Sequence, residues 1–88
     1  MPRKRACDAA AEVLRETDNP RVMWGDSRLL HAIAARIGRE PEGWRTEKRV
    51  LDALSRTPGE LVPGTVEVGR RLRAFWLPEH SPFEETAT

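Results

Sequence analysis

Cysteine is nearly absent from this chain: Cys7 is the single one among 88 residues. A disulfide framework, the usual support of a small secreted domain, is therefore excluded within the chain. A lone thiol points instead to a reducing compartment. No apolar run approaches the roughly 20 residues that a membrane-spanning helix needs. The basic start Met1-Pro2-Arg3-Lys4-Arg5 runs into Ala, Cys and Asp, not into the apolar core of a signal peptide. These absences predict a cytoplasmic protein.

Histidine is scarce as well. His31, His80 and Cys7 have no metal-ligand spacing. Gly59 and Gly64-Thr65 approximate the spacing of a phosphate-binding loop, but the lysine such a loop requires is missing and Pro63 interrupts it. Ser27, Ser55 and Ser81 have no evident His and acid partners. The sequence therefore predicts no active site, no metal and no cofactor, and the chain reads as a non-enzyme.

A strong charge imbalance is also missing, since the net charge is +1. Its distribution is more informative. Glu79, Glu84 and Glu85 lie beyond residue 77. Without these three of the fourteen acidic residues, the remaining eleven face fifteen basic ones, a balance of +4. All the basic residues except Lys4 and Lys48 are arginine, whose planar fork suits phosphate and guanine. A solvated arginine-rich surface would have the same composition.

The chain holds no internal repeat and no low-complexity tract. From Ala6 to about Thr17, Ala6, Ala10, Val13 and Leu14 share one face, which predicts an alanine-rich amphipathic helix. Asp18-Asn19-Pro20 ends it. Arg21 to Trp24 reads as a brief strand. Asp26 or Ser27 is placed to cap a second helix carrying Leu29, Leu30, Ile33, Ala34 and Ile37, with Gly38 as its stop. After the short link 39–43 a third helix is predicted from about Trp44 to Arg56, possible from Pro41, and closed by Thr57-Pro58-Gly59. Val66 and Val68, then Leu72, Ala74 and Trp76, alternate around Gly69-Arg70-Arg71, the pattern of a β-hairpin. Trp24, Trp44 and Trp76 sit at element ends and are expected to pack into the core. The predicted organisation is a basic arm over 1–5, one domain over 6–77, and a disordered acidic tail over 78–88.

This order of helix, short strand, helix, helix and hairpin resembles the winged helix-turn-helix superfamily over residues 6–77. The resemblance rests on topology, on the spacing of the second and third helices and on the Gly69-Arg70-Arg71 turn, not on a diagnostic motif. It implies a mainly α fold with a small β-hairpin. The link between the second and third helices is longer than in a minimal helix-turn-helix.

The third helix carries the main functional signal. At about 100° per residue, Arg45, Lys48, Arg49, Asp52 and Arg56 fall on one side, and Val50, Leu51, Leu54 and Glu47 on the other. A helix fits the major groove of B-DNA, where arginine can hold guanine through two hydrogen bonds. The resemblance implies base contacts from the start of this helix, at Arg45, Thr46 and Arg49. Lys48 and Arg56 suit phosphates. Asp52 is expected to pair with a cation of its own helix or to accept from a cytosine amine. Arg70, Arg71 and Arg73 form a basic wing, and Arg3, Lys4 and Arg5 an arm able to follow the backbone.

The expected function is therefore duplex DNA binding by a small transcriptional regulator, cytoplasmic and nucleoid-associated when bound. A homodimer built on the first helix or on Val22–Trp24 is a further expectation. Two other readings stand beside it: a winged-helix adaptor that binds protein, and a sequence-independent DNA-binding protein of replication or chromosome architecture. Surface helices ordinarily carry charge outward, so the charged stripe alone does not decide among them.

Overall fold

The computed structural model describes residues 4–38 and 43–82. Its elements are α1 (Ala6–Glu16), β1 (Arg21–Met23), α2 (Ser27–Arg36), α3 (Trp44–Arg56), β2 (Val62–Glu67) and β3 (Arg71–Trp76), followed by a 3-10 turn over Pro78–His80. They make a small mixed α/β domain of three helices and one antiparallel sheet, in the order expected from the periodicity. Arg3, most of the link (39–42) and the last residues (83–88) lie outside the described residues.

Small side chains let α1 sit at the centre. Cys7, Ala9, Ala10, Ala11, Val13 and Leu14 are all buried, and α1 packs against both α2 and α3. Alanine costs little side-chain entropy in a helix and lets neighbouring backbones come close. The helix ends where Asp18 adopts φ 56° and the Asn19 N–H donates to the Leu14 carbonyl at 2.8 Å. Leu30, Ile33 and Ala34 of α2 and Val50, Leu51 and Leu54 of α3 complete the helical part of the core.

The turn after α3 presses against the start of α1. Gly59 has φ 58°, and a β-carbon built there would lie 2.7 Å from Cys7 Sγ. The glycine that closes α3 is thus required both by its backbone angle and by lack of room.

The sheet runs β1-β3-β2. Register places Arg21, Val22 and Met23 opposite Trp76, Phe75 and Ala74, and pairs Val62 with Trp76 through to Glu67 with Arg71. Val22 and Phe75 point into the helical core. Ala74 and Trp76, one residue out of phase with Phe75, are buried on the opposite face.

Strand β2 starts earlier than the Val66/Val68 alternation predicts, and Val68 belongs to the turn, where its N–H donates to the Arg70 carbonyl at 2.9 Å. Alternation of antiparallel bonds from that pair leaves the Pro63 nitrogen facing away from β3. Proline is tolerated there because β2 is an edge strand.

The other edge is closed differently. Asp26, one of the two residues expected to cap α2, holds the N-cap position, with its carbonyl accepting from the Leu30 N–H at 2.9 Å, yet its side chain makes no cap there. Its Oδ2 accepts from the Met23 N–H at 2.9 Å, and its own N–H donates to the Met23 carbonyl at 3.0 Å. Trp24 N–H to Arg73 O and Leu77 N–H to Pro20 O fix the parity of β1, so Met23 faces outward. The carboxylate satisfies an edge amide in place of helix amides.

The expected unstructured tail is also corrected at its start. Leu77 is buried, Pro78–His80 turn, and Glu79 takes a two-pronged bond from Arg15 with Nε–Oε2 and Nη2–Oε1 both at 3.0 Å. Arg15 also reaches Glu60 at 2.9 Å, joining α1 to the segments on both sides of the hairpin. This anchorage lies in residues whose apolar patterning is too short to register as periodic. Among the described residues no helix is long and apolar enough to cross a membrane.

Candidate nucleic-acid interface

Helix α3 faces the core through Thr46, Val50, Leu51 and Leu54, which leaves Arg45, Lys48, Arg49 and Arg56 exposed. Thr46 corrects the expectation that it reads bases, since only 5% of it is accessible. The four-residue spacing of Thr46, Val50 and Leu54 already placed it on the inner stripe. The DNA-facing role assigned to the helix start therefore narrows to Arg45 and Arg49.

Asp52, the carboxylate on the charged side, pairs with none of the cations of its own helix. Arg73 reaches over from β3 and donates from Nη1 to Asp52 Oδ1 at 2.9 Å and to Ser55 Oγ at 3.0 Å. Arg73 thus ties the hairpin to α3 and does not point outward as a third wing cation. The other carboxylate of α3, Glu47, is turned toward α2. Its side chain is 13% exposed, the Ser27 hydroxyl donates to Oε2 at 3.3 Å, and His31 Nε2 lies 3.6 Å from the same oxygen.

With both carboxylates engaged elsewhere, Arg45, Lys48, Arg49 and Arg56 join no ion pair among the described residues. Several cations elsewhere are held by carboxylates. Arg15 and Arg36 are each held by two glutamates, Arg36 by Glu12 at 3.1 Å and by Glu16. Hydrogen bonds from Arg36 keep the Glu16 carboxyl below its ordinary range, and those from Lys4 and Arg36 do the same for Glu12. Arg15 holds Glu79 down to about 2. Arg15, Arg36 and Lys4 are thus neutralised by carboxylates, whereas the four cations along α3 are paired with none among the described residues.

Trp44 was expected in the core and is not. Its ring is 61% exposed at the first position of α3, with Arg45 Cζ 5.8 Å from the ring centroid. Trp76 is buried, but on the sheet face away from the helical core, and Trp24 packs against the core edge. Glycine at position 43, with φ 66°, gives the backbone a turn just before Trp44, beyond the reach of hydrophobic periodicity.

On the hairpin, Arg70 is exposed and joins no ion pair among the described residues, while Arg71 approaches Glu67 at 3.5 Å with both side chains largely solvated. Val68 beside them is 64% exposed. In the arm, Lys4 is held by Glu12 at 2.6 Å and Arg5 lies 3.9 Å from Asp8, so both are tied to α1. Arg3 falls outside the described residues.

One cation escaped the sequence reading. Arg28 is exposed, unpaired among the described residues, and follows Ser27, which touches Glu47 of α3. It adds positive charge where α2 begins beside the first turn of α3.

Comparison with protein-family models, with curated proteins and with solved structures finds no match. The site is therefore defined by its own geometry: a helix face of cations unpaired among the described residues, flanked by a solvated indole at one end and by a hairpin clamped to its side.

Proposed function

We propose that this chain is a winged helix-turn-helix domain that binds duplex DNA, laying α3 in the major groove and the β2–β3 hairpin along the backbone as a wing. The observation that carries this reading is the row of Arg45, Lys48, Arg49 and Arg56, exposed together and paired with no carboxylate among the described residues. Unpaired surface cations gain most from displacing the counterions around phosphates. Arg45 and Arg49 suit guanine edges, and Lys48, Arg56, Arg70 and Arg28 suit phosphates. The biological role we assign is that of a small cytoplasmic transcriptional regulator. A single module of this kind covers roughly 600–1,000 Å² of surface, so tight binding needs a second copy or a cooperative neighbour.

Selection of bound duplexes from a random pool tests the reading. The expected result is an enriched sequence that binds more tightly than its scrambled form at one salt concentration, with the advantage lost in the Arg45→Ala/Arg49→Ala variant. Equal affinity for both duplexes assigns the chain to sequence-independent binding instead. A folded chain that retains no duplex rejects DNA as the partner.

A second reading, a protein-binding adaptor, is favoured by the solvated Trp44 and Val68. Apolar groups of this size in water are common anchors of protein interfaces. It predicts no DNA retention and a partner whose binding is lost on Trp44→Ala.

A further inference from the structure

Of the three tryptophans, Trp44 alone stands largely in water. The guanidinium of Arg45 lies over its ring at 5.8 Å, and Arg45 has no carboxylate partner among the described residues. We infer that Trp44 and Arg45 act as one reading unit, selecting a guanine whose neighbouring base pair carries the 5-methyl group of thymine. The inference rests on the DNA-binding reading above and gives it a sequence preference.

The argument comes from the shapes of the two groups. A guanidinium has flat faces and a donor edge. A guanidinium held over the indole at 5.8 Å by cation–π attraction keeps its donor edge available for two bonds to guanine O6 and N7. The contact also restricts the flexible arginine before binding, so less freedom is lost when the bonds form. The indole then lies beside the held guanine, next to the adjoining base pair. What a pair offers there to an apolar surface is the thymine methyl, because the other major-groove features are polar donors and acceptors. The cations of α3, unpaired among the described residues, supply the charge complementarity that brings this surface to a duplex.

Replacing thymidine by deoxyuridine removes the methyl and leaves every hydrogen-bonding group in place. The probe is the duplex enriched by selection, prepared with thymine and then with deoxyuridine at the pair next to each conserved guanine. The wild-type chain is expected to bind the thymine form about fourfold more tightly at one position, the effect of burying one methyl group. Trp44→Ala is expected to bind both forms alike, and Trp44→Phe, which keeps an apolar ring, to recover part of the preference. Because the indole is exposed, melting temperatures of both variants should match the wild type. Equal wild-type affinity for the two forms at every position, with binding still dependent on Arg49, overturns this inference and leaves the DNA-binding reading intact. Retention of duplexes without enrichment of any sequence also overturns this inference, and failure of the folded chain to retain any duplex overturns both.

Discussion

Arg73 of β3 holds Asp52 of α3 at 2.9 Å, so a residue of the hairpin removes the one carboxylate from the cationic side of the helix. The pair is partly solvated and worth only ~0.2–1 kcal/mol to the fold. Its larger effect is electrostatic. Arg73→Ala should leave the melting temperature almost unchanged while weakening duplex binding severalfold in a fluorescence titration, because the released Asp52 carboxylate faces phosphate. Adding Asp52→Asn should restore most of the lost affinity. A double variant no better than Arg73→Ala would mean that Arg73 meets DNA itself.

The phosphate contacts can be counted by salt. Lys48→Ala, Arg56→Ala and Arg70→Ala should each lower the slope of log K against log salt by about one. These changes should be independent of duplex sequence, unlike those at Arg45 and Arg49. An unchanged slope for Arg70→Ala would take the hairpin turn out of the interface.

The fold also carries an acid-sensitive clamp. Hydrogen bonds from Arg15, helped by the turn's own backbone, depress the Glu79 carboxyl from 4.5 to about 2. A depressed folded-state value means that the stabilisation is complete above about 4.5 and drains away as pH falls toward 2. Glu79→Gln should therefore melt below the wild type at pH 6, and the gap should close between pH 4.5 and 2. A gap that persists at pH 2 would place the effect in packing and not in charge.

Gly59→Ala should destabilise by at least about 1 kcal/mol from its left-handed backbone alone, before any clash. The new methyl would also meet Cys7 Sγ at 2.7 Å. Cys7→Ala in the same chain should relieve part of the loss, read as the urea midpoint, since it removes the sulfur but not the backbone strain. No relief would mean that the turn moves away from α1 instead.

The helices were legible because their apolar spacing is regular: the span Trp44–Arg56 and the inward Leu54 follow from periodicity alone. Side-chain partnerships were not. Asp52 has four cations within two turns of its own helix, and only the return of β3 across α3 makes Arg73 the partner. Asp26 carries the signature of a helix cap, and an edge amide two residues before Gly25 claims it. Trp44 looked like core because large aromatics at helix ends usually are, and it even shares the helical phase of buried Leu51, yet as the first residue of α3, directly after the Gly43 turn, it stands in water. Helical phase is local, whereas competition for a polar group depends on what the tertiary fold brings near it.

The two margins of the sheet bear on how copies of this chain could meet. Asp26 occupies both outward backbone groups of Met23, and Pro63 offers no amide on the far side. Lateral ribbon growth from one molecule to the next is thereby discouraged at both rims, which protects a small domain from stacking into fibres. Cooperation between adjacent molecules then falls to side-chain surfaces, or to the bending and spacing of the nucleic acid that they share.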